Sequence, residues 1–346
     1  MQSLEVILVQ LTGIAARPPC RSPAARARNV CVEGRPYTRG IFYPKAPVPD
    51  RRSRLLVLLR APAKLNLTLE VLDRLDDGYH RIRSVMTPIT LWDEISVECA
   101  TDAGTFEARP TALNNESNLV VRAMDAAGVD RAHLHVALRK GIPVGAGLGG
   151  GSSDAAAILL AVRDGRLAGH TAEPWPTAAR RLGSDVPFFL AGGPALVEAT
   201  GERVTPAGSA PPWWALVVMP RENVATARAY HLLDQARRQT PRASGSRLES
   251  RSIRALEALQ RSDFAALSSL LGNDFQEPIC AVYPAIAAAA SALESAAGQP
   301  AFLTGSGAAL FTLFEREDAA RTAAARITGE REDVFVAAMT DDGSWR

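Results

Sequence analysis

Pro143-Val-Gly-Ala-Gly-Leu-Gly-Gly-Gly-Ser-Ser-Asp-Ala-Ala156 places five glycines within seven residues directly ahead of an apolar run, Ala155-Ala-Ala-Ile-Leu-Leu-Ala161. Glycine has no Cβ, so backbone N–H groups in such a stretch can close on a polyanion. The start of the helix behind it adds free N–H groups and a positive dipole end. The stretch reads as a phosphate cradle over residues 144–153, opening a helix that Ser152 or Ser153 can cap. A merely flexible turn is the alternative, and it would not need two adjacent hydroxyls and an immediate strong helix former.

Gly145, Gly147 and Gly150 also satisfy G-x-G-x-x-G, the fingerprint of dinucleotide-binding turns. The context excludes it. That fingerprint sits in a tight strand-to-helix turn, with an acidic residue closing a second strand about 20 residues on. Here the candidate strand over residues 133–138 stops well short of Val144, and residues 170–176 do not read as a strand. No Gly-Lys-Ser/Thr closes the loop as in a P-loop, and neither H-R-D nor D-F-G is present.

Three further segments give the loop its meaning. They are Ala61-Pro-Ala-Lys-Leu-Asn-Leu-Thr-Leu69 followed by Asp77-Gly-Tyr-His80, then Leu182-Gly-Ser-Asp-Val-Pro-Phe-Phe189, then Leu303-Thr-Gly-Ser-Gly-Ala-Ala-Leu-Phe311. In this order, from about residue 55 to residue 339, the chain resembles the galactokinase, homoserine kinase and mevalonate kinase (GHMP) superfamily of small-molecule kinases. Within it, P-A-K-L-N, D-G-Y-H and G-S-D-V-P-F resemble the branch that phosphorylates a diphosphocytidyl alcohol in the non-mevalonate route to isoprenoids. Another kinase of the superfamily, or a binding protein that kept the fold without catalysis, are the competing readings. D-G-Y-H speaks against the first, and retention of both Lys64 and Asp185 against the second.

The resemblance implies an α+β, two-domain GHMP kinase fold. Its first domain, residues 55–210, is like the second domain of ribosomal protein S5, and its second, residues 211–346, is ferredoxin-like. Pro211-Pro212 is a plausible boundary. ATP is the implied phosphoryl donor, with Mg2+ neutralising its phosphates. Lys64 and Asp185 are the implied catalytic pair. ATP is expected on Pro143, Val144, Gly145, Ala146, Gly147, Leu148, Gly149, Gly150, Gly151, Ser152 and Ser153, with Asn118 and Lys140 on the adenine side. The alcohol substrate is expected on Asn66, Tyr79, His80, Thr226 and Tyr230, an aromatic ring stacking on the pyrimidine and an imidazole bonding its edge. No protein ligand for Mg2+ is assigned, although Ser152 or Ser153 is a candidate. Gly305-Ser-Gly307 resembles the segment that packs beside the phosphate loop in this superfamily.

The residues themselves carry part of this reading. Leu65, Leu67, Leu69 and Val71 alternate with Asn66, Thr68 and Glu70, so a strand puts Asn66 on its polar face. A separate strand is expected over residues 55–59. Asp185 precedes Val186-Pro187, and the proline disfavours helix continuation and pins the turn that would aim the carboxylate. Further expectations are strands over 93–98, 195–198, 202–205 and 213–218, two short strands within 302–314, and helices over 118–127, 178–182, 225–238, 253–271 and 285–297. A polar loop is expected over 237–252, and the path of residues 163–180 is left open.

With 346 residues and 47% hydrophobic content the chain can build an ample core, and no run approaches 18 apolar residues. Cys20, Cys31, Cys99 and Cys280 show no metal-ligand spacing, which suits reduced thiols in a cytosol. The formal charge of +2 is uneven. Residues 1–54 hold nine Arg and one Lys against Glu5, Glu33 and Asp50, a balance of +7 that leaves −5 for the rest. The body is mildly acidic and offers nucleic acid no footprint. The basic, proline-rich residues 1–54 read as a disordered extension, with a translated upstream region and a misplaced start as the leading reading. The expected setting is a bacterial cytoplasm rather than a plastid, with a small-molecule substrate, no nucleic acid or membrane partner, and a monomer or homodimer.

Overall fold

The computed structural model describes residues 55–239, 249–327 and 332–341. The extension expected over 1–54, and most of the loop expected over 237–252, lie outside them. Two strands of 20 residues, β1 (Leu55–Arg74) and β2 (His80–Cys99), pair antiparallel along their length. The strands expected over 55–59 and 65–71 are therefore one. Register shifts at Pro62/Ala63 and Asn66/Thr68 let it bend without ending. The turn at the far end passes through Gly78 at φ +89.

The chain continues through β3 (Thr105–Arg109), α1 (Leu119–Ala126), β4 (Leu134–Arg139), α2 (Gly150–Arg163), α3 (Trp175–Leu182), α4 (Val186–Ala191), β5 (Ala195–Ala199) and β6 (Arg203–Pro206). It then crosses to β7 (Trp214–Pro220), α5 (Thr226–Gln239), α6 (Arg251–Gln260), α7 (Phe264–Leu270), β8 (Gly272–Asn273), α8 (Gln276–Val282) and α9 (Pro284–Ala297). It closes with β9 (Phe302–Leu303), β10 (Leu310–Phe314), α10 (Glu317–Ala324) and β11 (Glu332–Ala338). The first sheet runs β3-β4-β2-β1-β8, with the β5–β6 hairpin on the first half of β2, and the second runs β11-β7-β10-β9. An Ile89–Met339 bridge ties β2 to the end of β11.

Two apolar cores follow from this path. Leu59, Ile95, Met124, Ile158 and Phe188 join the first sheet to α1–α4. Leu65, Leu67, Val217, Phe275 and Leu310 join β1 to the second sheet and its helices. The polar face expected for Asn66 and Thr68 is thus an interior face: they are 4% and 0% exposed. Thr68 Oγ1 meets Ser252 Oγ of α6 at 2.8 Å, so the polar residues bond across an interface rather than to water.

Three local expectations are corrected. The helix after the glycine loop starts at Gly150, with Gly149 at its cap position and no side-chain cap, so neither Ser152 nor Ser153 caps it. Pro187 stands in the first turn of α4, where a missing N–H costs nothing, so it starts a helix rather than blocking one. The single helix expected over 253–271 is two. Ser262 turns the chain at φ +53, and Asp263 caps α7 by accepting from Ala266 N at 3.0 Å. Residues 164–174 form the connection before α3, which resolves the open path there. No single helix among the described residues is long and apolar enough to cross a membrane.

Candidate active site

Gly145, Gly147 and Gly149 adopt φ +73, +77 and +73, a run that residues with a Cβ rarely tolerate. At Gly147 the constraint is also steric, since a Cβ would lie 2.4 Å from Thr304 O. Across the contact, a Cβ on Gly305 would lie 2.8 Å from Gly147 O, and Ala309 N donates to Ala146 O at 3.1 Å. The segment around Gly305-Ser-Gly307 therefore packs on the glycine loop, as the resemblance implied. A cavity of about 400 Å3 opens at the loop, lined by Pro143 to Ser152 with Asn118, Leu138, Lys140 and Asp154. Ser153, expected in the cradle, is 1% exposed and its hydroxyl has no hydrogen-bond partner among the described residues. Asn118 caps α1, its Oδ1 accepting from Val120 N and its Nδ2 donating to Leu113 O, both at 2.9 Å.

Lys64 comes off β1 beneath this loop. Its ammonium donates to Asn66 Oδ1 at 2.5 Å and to Gly147 O at 2.7 Å, and lies 3.9 Å from Asp185 Oδ2. Lys64 is 2% exposed, while the Asp185 side chain keeps 34% exposure at the start of α4. Burial pulls the Lys64 ammonium below the ordinary lysine range, and the Asp185 carboxylate acts against that pull. Asn66, expected to touch substrate, is instead consumed internally. Its Oδ1 also accepts from Gly305 N at 2.8 Å, its Nδ2 donates to Ser84 Oγ at 2.8 Å, and its N–H donates to Thr304 Oγ1 at 3.0 Å. It ties the lysine to the glycine segment of the second half.

Lys140 lines the cavity at the glycine loop, and its ammonium is held by two buried carboxyl groups: it contacts Asp93 Oδ2 and Asp154 Oδ2, the latter at 2.8 Å. Asp93 Oδ1 accepts from Gly141 N at 2.8 Å and Ile142 N at 2.9 Å, fixing the entrance of the loop. Burial pushes the Asp154 carboxyl up from an ordinary 3.8 to about 8, against the opposing pull of Lys140. Sequence reasoning placed Asp93 only in a strand and Asp154 only in a helix. The cluster assembles from three elements, so no local pattern announces it.

A second cavity, of about 570 Å3, brings together Tyr79, His80, Thr226 and Tyr230, with Ser184 at its wall. Thr226, Tyr230, Asp234 and Arg238 line it at intervals of four, one face of α5. Tyr79 is 68% exposed there. Tyr230 has one face stacked on His80, with ring centroids 4.8 Å apart at 19°, so that face is not open to a pyrimidine. Burial pushes its phenol up to about 12, with Asp185 adding to the effect. Thr226 Oγ1 and Ser306 Oγ lie 3.1 Å apart. A larger cavity, of about 990 Å3, lies against β2 and the β5–β6 hairpin. Its arginines already pair with its own acids, Arg81 with Asp73 and Arg83 with Glu198.

A glycine cradle beside a buried lysine and a half-exposed aspartate defines a small-molecule kinase of the GHMP class. Residues 118–193 match the family model of the GHMP kinases N terminal domain, and residues 255–331 that of the GHMP kinases C terminal. The chain is 38% identical to the 4-diphosphocytidyl-2-C-methyl-D-erythritol kinase of Symbiobacterium thermophilum, over 79% of this chain and 96% of that one. It is 40% identical to the same-named kinase of Anaeromyxobacter dehalogenans, over 80% and 86%. A crystal structure of 4-(cytidine 5'-diphospho)-2C-methyl-D-erythritol kinase superposes with a TM-score of 0.67 at 32% identity, covering 82% of this chain and 99% of that one. The chain belongs to the 4-diphosphocytidyl-2-C-methyl-D-erythritol kinase family.

Proposed function

We propose that this chain transfers the γ-phosphoryl group of ATP to the 2-hydroxyl of 4-diphosphocytidyl-2-C-methyl-D-erythritol, on the non-mevalonate route to isoprenoid precursors. The observation that carries the reading is the Lys64–Asp185 pair, 3.9 Å apart, with Lys64 bonded to Gly147 O of the glycine cradle and Asp185 next in the chain to Ser184, which lines the cavity of Tyr79 and His80. Asp185, half open at the start of α4, accepts the proton of the attacking hydroxyl. Lys64 holds Asp185 by charge and stabilises the negative charge that develops on the phosphoryl oxygens. The N–H groups of residues 145–151 take the ATP phosphates, with the adenine end toward Asn118 and Lys140. Tyr79 supplies a stacking face for the cytosine, and His80 a hydrogen-bonding edge.

Mg2+ carried in with ATP would need only one or two protein oxygens. Ser152, on the cavity wall next to the buried and unpartnered Ser153 hydroxyl, would supply such an oxygen, and no group of three acidic, His or Cys ligands gathers among the described residues. Mg2+ supplies charge neutralisation on the phosphates when bound. We read the enzyme as cytoplasmic, and as a monomer or homodimer. The purified full-length chain is expected to consume ATP and phosphorylate 4-diphosphocytidyl-2-C-methyl-D-erythritol, and to leave homoserine and mevalonate unphosphorylated. Turnover of either of those in preference to the cytidyl alcohol would overturn the reading.

A further inference from the structure

His80 closes the turn between β1 and β2, and its ring is held from two directions. One face stacks on Tyr230, and Nε2 lies 2.9 Å from Asp234 Oδ1. Tyr230 and Asp234 are one helical turn apart on α5, and Tyr230 is braced edge-on by Phe275 at 4.9 Å. Rotating the imidazole would break both contacts. The His80 side chain is 6% exposed and that of Asp234 24%, so the pair is largely withdrawn from water.

An ionised carboxylate accepts hydrogen bonds and donates none, so the proton of the neutral ring sits on Nε2. Nδ1 then keeps its lone pair. Among the described residues Nδ1 makes no hydrogen bond, and His80 lines the cavity it shares with Tyr79. An acceptor held at a base-binding wall favours a base that offers a donor at its edge. Cytosine presents an amino group at position 4, where uracil presents a carbonyl that would set lone pair against lone pair.

We propose that Asp234 is a specificity-determining positioning residue: it fixes His80 as the Nε2–H tautomer, so that the site takes a cytidyl alcohol in preference to its uridyl counterpart. The proposal rests on the function proposed above. Its test compares 4-diphosphocytidyl- and 4-diphosphouridyl-2-C-methyl-D-erythritol as substrates of the full-length chain at pH 8. In Asp234→Ala the KM for the cytidyl substrate rises roughly tenfold and the cytidyl-over-uridyl preference in kcat/KM falls by about the same factor. The KM for ATP stays within about twofold, because the nucleotide cavity does not include α5. Asp234→Asn, which keeps an acceptor oxygen, recovers most of the preference. Nitrogen-15 NMR of the imidazoles should show His80 as Nε2–H in the wild type and as a tautomer mixture in Asp234→Ala. Unchanged preference in Asp234→Ala, or a wild-type His80 protonated on Nδ1, overturns the proposal. Should the alanine variant not fold, the wild-type spectrum and the asparagine variant decide it alone. A wild-type chain that binds ATP and turns over neither alcohol overturns the function itself.

Discussion

Lys64 is a buried cation ringed by oxygens, and each oxygen belongs to a different task. Asn66 Oδ1 leads to the second half of the chain, Gly147 O to the glycine loop, and Asp185 Oδ2 to the place proposed above for the reacting hydroxyl. The two members of the pair should therefore fail differently. Asp185→Asn is expected to cut kcat by roughly 10²-fold or more while the calorimetric ATP affinity stays near the wild-type value, because only proton acceptance and positioning are lost. Lys64→Met is expected to lose a similar factor in kcat and also to weaken ATP, since the Gly147 carbonyl loses its donor. Near-wild-type turnover in both variants would remove the pair from the mechanism.

At the scale of the element, α2 and its leading loop work as one piece. Gly149 joins the loop to the helix, with φ +73 and a Cβ position 3.0 Å from Lys64 Cγ and 3.1 Å from the Phe189 ring. Gly149→Val should raise the KM for ATP by roughly tenfold, because a β-branched residue resists that φ and displaces both neighbours. An unchanged KM in a folded variant would free the loop from its assigned role. This helix was legible in the sequence as an apolar run behind glycines, and β5 and β6 as two short strands. What escaped was decided at longer range. The start of α2 moved into the glycines because Gly149 takes a left-handed φ that no serine cap has to help. The break at Ser262 was hidden in a run that is helical by composition. Asp93 and Asp234 were passed over for the same reason: their meaning lies in Lys140 and His80, which other elements carry. Lys64, Asp185, Tyr79 and His80 were readable because their motifs are contiguous.

The whole molecule carries an electrostatic cost where three elements meet around Lys140. The Asp154 carboxyl has a folded pKa of about 8 against an ordinary 3.8, so the folded state holds its proton more tightly than the unfolded chain does. Stability from this group is fully present below the lower value and is lost progressively as pH rises through the higher one. Asp154→Asn cannot ionise there. Its melting temperature should draw level with the wild type at pH 5 and exceed it by roughly 2 °C or more at pH 9, read by calorimetry. A gap that stays constant across that range would show that Asp154 does not titrate as described.

The approach of Gly305 to Gly147 has a consequence for descent as well as for folding. Two stretches far apart in the chain press backbone on backbone with no room for a methyl group at either. Neither can take a larger residue while the other stays as it is, so the two stretches have to be matched to each other. A chimera joining residues 55–210 of this chain to the second half of a relative should bind ATP when that relative has glycine facing Gly147. With any larger residue at that seam it should lose the nucleotide, however well its own half folds.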